Sequence, residues 1–159
     1  MKPSFRWLFA FVALSSAALA AELYKPGDLF ASFTTKDQHE QSYLFTPGVR
    51  TVIVSFVMGT GKDANAYFEK QPASFLADHK AVFIANIHGM PGIGRMFALP
   101  KMKKYPHRIL LADEEHFLDR FPSEKDRLTV FTLNPAGKIE TIRFVNPEKD
   151  MPSIFAAKP

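Results

Sequence analysis

The sequence predicts an α/β fold, a mixed β-sheet flanked by helices, and three observations carry that reading. The first is Thr51–Val57, a seven-residue apolar run rich in β-branched residues, bounded by Pro47-Gly48 and by Gly59-Thr60-Gly61. Its length and composition fit a strand buried on both faces inside a parallel or mixed sheet. The second is a similar run, Ala81–Ile87, separated from the first by helix-compatible sequence. The third is the pair Leu128–Leu133 and Lys138–Val145 around Asn134-Pro135-Ala136-Gly137, whose Pro and Gly suit the turn of a hairpin.

Taken in order, the chain opens on Met1–Ala20, which reads as a secretory signal. Lys2 and Arg6 form a basic start, Trp7–Leu14 an apolar core, and Ala18-Leu19-Ala20 the small residues a signal peptidase needs. Cleavage is expected between Ala20 and Ala21, with export to the periplasm or medium. The mature chain, Ala21–Pro159, is then a single domain of 139 of the 159 residues. No stable membrane insertion is expected after cleavage.

Leu29–Thr34 and Gln41–Phe45 read as paired strands around the turn Asp37–Glu40. After the central run Thr51–Val57, Asp63–Lys70 and Ala73–His79 read as helical, with Pro72 at the start of the second piece. Ala81–Ile87 leads to a glycine-rich loop, His88–Arg95, and then to a helix over Met96–Lys104. Arg108–Ala112 is a further strand. Asp113–Phe121 is expected to be a short helix, with acids in its first turn as the helix dipole favours. The tail Glu148–Ala157 closes the chain as a final helix.

Composition excludes several chemistries. The chain has no cysteine, so thiol redox, thioester and cysteine-ligated metal chemistry are closed. Stability must come from the core, to which sixteen Phe contribute. The basic balance is partly a property of the signal. Without Lys2 and Arg6, eighteen basic residues face sixteen acids, a net charge of +2. Lys101, Lys103 and Lys104 cluster, but acids are spread through the same chain, so no continuous face for nucleic acid is expected.

Four motifs invite a function and do not carry one. Gly59-Thr60-Gly61-Lys62 lacks the first glycine of a phosphate loop, since Phe stands at position 56, and Asp63 replaces the hydroxyl that would hold magnesium. Gly89–Gly94 has the order G-x-x-G-x-G, which is wrong for a dinucleotide fingerprint, and Pro91 removes an N–H the pyrophosphate would use. His88 and Met58, Met90, Met96 and Met102 raise the alternative of a copper site, yet neither His nor Met shows clustered ligand spacing. Ser55 lies mid-strand, not on the elbow a hydrolytic nucleophile requires. No cofactor, metal ligand or catalytic residue is assigned.

Three segments together resemble a known family. PGD-x-F-x-x-F-x-x-x-DQH at Pro26–His39 is similar to the first hairpin of the thioredoxin-like peroxiredoxin and redoxin proteins (AhpC/TSA type). Tyr105-Pro106 followed by Ile109–Asp113 resembles their "yP-x-l-l-sD" segment. Phe131–Ile139 resembles their "f-l-I-d-p-d-G-k-I" hairpin. Pro91–Phe97 with Lys103–Pro106 is also similar to small periplasmic YtfJ-like proteins. The resemblance implies a thioredoxin-like mixed sheet flanked by helices over Ala21–Pro159.

The departures from the family bear on function. Its redox cysteine belongs after the central strand, near Met58–Asn65, where this chain has none. Arg127-Leu128-Thr129 stands where redox thioredoxins carry a cis-proline. The resemblance therefore implies fold without peroxidase, reductase or isomerase activity. A non-catalytic binding or accessory protein is the favoured reading, its partner an unknown protein or small molecule. An enzyme using Lys62, Asp63, His88 and Arg95 is the alternative. The expected ligand-binding residues are Gly59, Thr60, Gly61, Lys62, Asp63, His88 and Arg95, with Asp63 as helix N-cap and backbone N–H groups of Gly59–Asp63 as donors.

Overall fold

The computed structural model describes residues 21–156. The expected signal segment Met1–Ala20 and its cleavage point, and the end of the tail at 157–159, lie outside the described residues. Seven strands form one mixed sheet: β1 (Thr34–Asp37), β2 (Ser42–Leu44), β3 (Thr51–Ser55), β4 (Ala81–Asn86), β5 (Leu110–Ala112), β6 (Leu128–Leu133) and β7 (Ile139–Val145). Their order is β2-β1-β5-β4-β3-β6-β7. β3, β4 and β5 run parallel, and the other pairings are antiparallel. The described helices are α1 (Met58–Phe68), α2 (Phe75–Asp78), α3 (Gly92–Met102) and α4 (Met151–Ala156). None is long and apolar enough to cross a membrane.

β3 lies inside the sheet between β4 and β6, as its apolar run requires. Side chains alternate across a strand, so Val52 and Val54 enter one core layer and Ile53 the other. The second layer is covered by helices: Ala64 and Phe68 of α1, Leu76 of α2, and Met151 and Ile154 of α4. The first layer is covered by irregular chain. Phe30, Phe33 and Phe45 come from the N-terminal third, and Phe117 and Phe121 from the segment after β5. Phe30 packs 5.4 Å from Phe131 and 5.6 Å from Phe121, both near edge-on, the arrangement aromatic quadrupoles favour. The abundance of Phe thus replaces helices on this face.

The β6–β7 hairpin follows its turn chemistry. Gly137 takes φ 78°, and Asn134 Oδ1 accepts the N–H groups of Ala136 and Lys138 at 2.9 and 3.0 Å. The first hairpin is shifted from the expected positions. Its strand runs over Thr34–Asp37, while Leu29 makes only an isolated bridge to Lys138. Asp37-Gln38 fastens this hairpin to the rest of the fold. Asp37 Oδ1 accepts the N–H groups of His39 and Gln41, and Oδ2 lies 3.2 Å from Arg108 Nε. Gln38 uses both ends of its amide, donating to the His107 carbonyl and accepting from the Ile109 N–H. Every polar atom of this buried side chain is therefore satisfied.

Besides the helix after β3, two helix expectations need correction. Asp113–Phe121 is not a helix but a run of turns, with i to i+3 bonds from Phe117, Asp119 and Phe121. His116 sits at φ 68°, a left-handed conformation that ends any right-handed helix. The helix expected over Met96–Lys104 begins earlier, at Gly92, so half of the supposed loop His88–Arg95 belongs to α3.

Candidate functional site

The corner at the carboxyl end of β3 differs from expectation in one respect that matters. α1 begins at Met58, five residues before Asp63. Gly59, Thr60, Gly61, Lys62 and Asp63 are therefore inside the first turns of a helix and do not form a loop. Asp63 is not the N-cap. That position is Val57, extended at φ −131° and ψ 154°, with no side-chain cap. Two hydroxyls stabilise the junction instead. Ser55 Oγ lies 2.9 Å from Thr60 Oγ1, and both lie within 3.1 Å of the Val57 carbonyl, which also accepts the Gly61 N–H. With the Gly61 N–H bonded inside the helix, the expected donor set Gly59–Asp63 does not exist as a set. A Cβ on Gly61 would stand 3.0 Å from Ser55 Oγ, so this glycine permits close helix–strand contact. The sequence looked like a loop because glycine is read as a turn residue.

His88 lies on the neighbouring connection between β4 and α3, Arg95 lies in the first turn of α3, and both are committed there. His88 Nδ1 is 2.9 Å from the Asp113 carbonyl. Arg95 forks onto the Asp113 carboxylate, with Nη1 3.0 Å from Oδ2 and Nη2 on Oδ1, and Nη2 also donates to the Ile87 carbonyl at 3.1 Å. The guanidinium hydrogen bond holds the Asp113 carboxyl below its usual range. These residues tie the β4–α3 connection to the end of β5.

Between the carboxyl ends of β3 and β4, the start of α1, and α3 lies a half-open cavity of about 330 Å³. Val57, Met58, Met90, Phe97 and Met102 supply its apolar wall. α3 contributes both small and large residues to this cavity. Gly94 and Ala98, one helical turn apart, line it, and no residue of α3 is buried. Ile93 and Met96 of α3 stand in solvent at 72% and 63% exposed, and Phe97, although it lines the cavity, is 71% exposed. Exposed Val57 and Met58 lie at the start of α1. An apolar surface of this kind marks an interaction site more often than a scatter of single residues does.

Of the expected site residues, Gly61 and Lys62 line the cavity; Gly59, Thr60, Asp63, His88 and Arg95 do not. Lys62, Asp63, His88 and Arg95 thus do not converge on one wall. The charged groups on the wall are Lys62 and Lys101, and neither forms an ion pair with a described residue. Ser55 and Asn86 also reach it, but their polar atoms are engaged, Asn86 with the Phe56 carbonyl and the His88 N–H.

Asn65, which sequence reasoning did not single out, lines the cavity while only 4% exposed. Its Oδ1 lies 2.8 Å from His107 Nε2, which makes Nε2 the protonated nitrogen of the imidazole. The Asn65 amide nitrogen has no partner among the described residues. His107 is 1% exposed, stacked on Tyr105 and tilted against Phe68, and its Nδ1 is buried without a partner. Burial pushes the imidazole pKa down to about 4, so the ring is neutral near pH 7. No local spacing links positions 65 and 107; only the fold does. Among the described residues no group of three or more His, Asp or Glu could hold a metal ion.

No family model matches the chain, and no curated protein matches it. Solved structures do. Peroxidoxin BcpB from Mycobacterium tuberculosis is 14% identical, with 83% of this chain and 94% of that one covered and a TM-score of 0.55. A putative thiol:disulfide interchange protein DsbE from Chlorobium tepidum is 10% identical, with 82% and 94% covered and a TM-score of 0.58. Peroxiredoxin Q from Xanthomonas campestris is 8% identical, with 78% and 88% covered and a TM-score of 0.54. At these identities the likeness is one of architecture. The chain has a thioredoxin-like fold, built here without a cysteine.

Proposed function

We propose that this chain is an exported, non-catalytic binding protein that uses the corner between β3, α1 and α3 to hold an apolar ligand. The observation that carries this reading is the cavity itself. Its volume of about 330 Å³ falls at the lower end of the roughly 300–1,000 Å³ typical of small-molecule sites. Its wall has the composition of such sites, mostly apolar with a few polar groups. Methionines at 58, 90 and 102 make that wall adaptable, because an unbranched thioether refits around differently shaped partners. Sulfur nucleophiles are absent from the whole sequence, and Lys62, Asp63, His88 and Arg95 do not assemble a base and nucleophile around one point.

The test uses N-phenylnaphthylamine, a neutral dye that brightens in apolar surroundings. The purified protein is expected to bind it saturably. Ala98→Phe, which places a ring at the cavity wall, is expected to weaken binding by about tenfold or more. Its thermal midpoint should stay unchanged or rise, since a filled cavity regains packing contacts. Absence of saturable binding, or a variant that binds as well as wild type, contradicts the proposal.

Export rests on the basic, apolar and small-residue order of Met1–Ala20. Intact mass of the protein in osmotic-shock fluid is expected to begin at Ala21. A chain retaining Met1 in the membrane fraction contradicts it.

A further inference from the structure

We infer that the ligand is an amphipathic anion, a medium-chain monocarboxylate whose tail enters the cavity and whose carboxylate meets Lys62 and Lys101. This rests on the apolar-ligand reading above and adds to it the chemistry of the head group. The apolar wall formed by Met58, Met90, Phe97 and Met102 has no use for a wholly polar ligand. The charged groups on that wall are both cationic, no carboxylate joins them, and neither lysine is paired with a described acid. Arg95, the nearby cation, is neutralised by Asp113 and stands off the wall. The Asn65 amide nitrogen, on a residue that lines the wall and without a partner among the described residues, adds a neutral donor. Acceptors are what these groups lack, and a carboxylate supplies them.

Other occupants fit less well. A peptide that adds as a strand needs a free strand edge, but β3 and β4 beside the cavity are both paired on two sides. A second copy docked about a two-fold axis would press the same cationic patch of each copy together, which like charge opposes.

Octanoate and octanol share a tail and differ in the head group, so competition against bound N-phenylnaphthylamine isolates the charge. Octanoate is expected to displace the dye at roughly tenfold lower concentration than octanol in low salt. That preference should shrink as salt is raised. The double variant Lys62→Met, Lys101→Met removes both charges and is expected to lose the preference, with both competitors compared at the variant's own dye affinity. Equal displacement by the two competitors, or a preference that survives the double variant, overturns the anion inference while leaving the apolar site standing. Failure to bind the dye at all overturns both. A dimer that excludes dye and octanoate assigns the cavity to a second copy and overturns the proposal.

Discussion

Val54→Asp is expected to abolish folding. Val54 is fully buried in β3, hydrogen-bonded through its strand to β4 on one side and β6 on the other. Its side chain enters the apolar layer that contains Phe30, Phe45, Phe121 and Phe131. An unpaired carboxylate there must stay charged at great cost or become protonated. Either way the core loses a Val and gains an unsatisfied polar group, a penalty of several kcal/mol or more. Domains of this size are stable by about 5–15 kcal/mol, so the substitution removes most or all of the margin. Circular dichroism during urea titration should show no cooperative transition. The control, Thr141→Asp on the exposed face of edge strand β7, should unfold like wild type within about 0.5 kcal/mol. A cooperative Val54→Asp transition near the wild-type midpoint would remove β3 from the core.

Acid is expected to weaken the fold through His107. The folded ring is buried and neutral, with a pKa lowered to about 4 from the ordinary 6.5. Between these values the unfolded chain binds a proton that the folded chain does not. Unfolding is therefore favoured as pH falls. The contribution is fully present above pH 6.5, erodes through the window from 6.5 to 4, and is gone below it. The shift corresponds to about 3 kcal/mol, as an order of magnitude. His107→Gln can still donate to Asn65 and does not titrate. It is expected to lower stability at neutral pH through lost stacking on Tyr105 and Phe68, but to flatten the slope between pH 6.5 and 4. Urea midpoints measured across that range decide the matter; an unchanged slope in the variant would show that another group controls the acid response.

The distance between reading the chain and seeing it folded is clearest at three places. The β6–β7 hairpin was legible because its information is local: Asn134 and Gly137 carry the turn whatever surrounds them. The start of α1 was not. Gly59 and Gly61 look like turn residues, and only the packing of Thr60 and Gly61 against Ser55 gives them a helical role. The turns at Glu114–Phe121 were hidden for the opposite reason. A favourable first turn of acids promised a helix, but Phe117 and Phe121 are drawn individually into the aromatic layer. Tertiary packing overrode local preference in both cases.

Taken alone, the sequence determined that the protein is an α/β chain with β3 and β4 buried, that it resembles the thioredoxin-like proteins, and that no thiol chemistry operates in it. These follow from composition, from apolar runs of strand length, and from the absence of one element, sulfur as cysteine. Tertiary structure alone decided where a ligand could sit. Asn65 of α1 and Ala98 and Lys101 of α3 stand more than thirty residues apart along the chain, yet they line one cavity with Met90. The cavity is a gap between β3, β4, α1 and α3, and a gap between elements has no signature in any one of them.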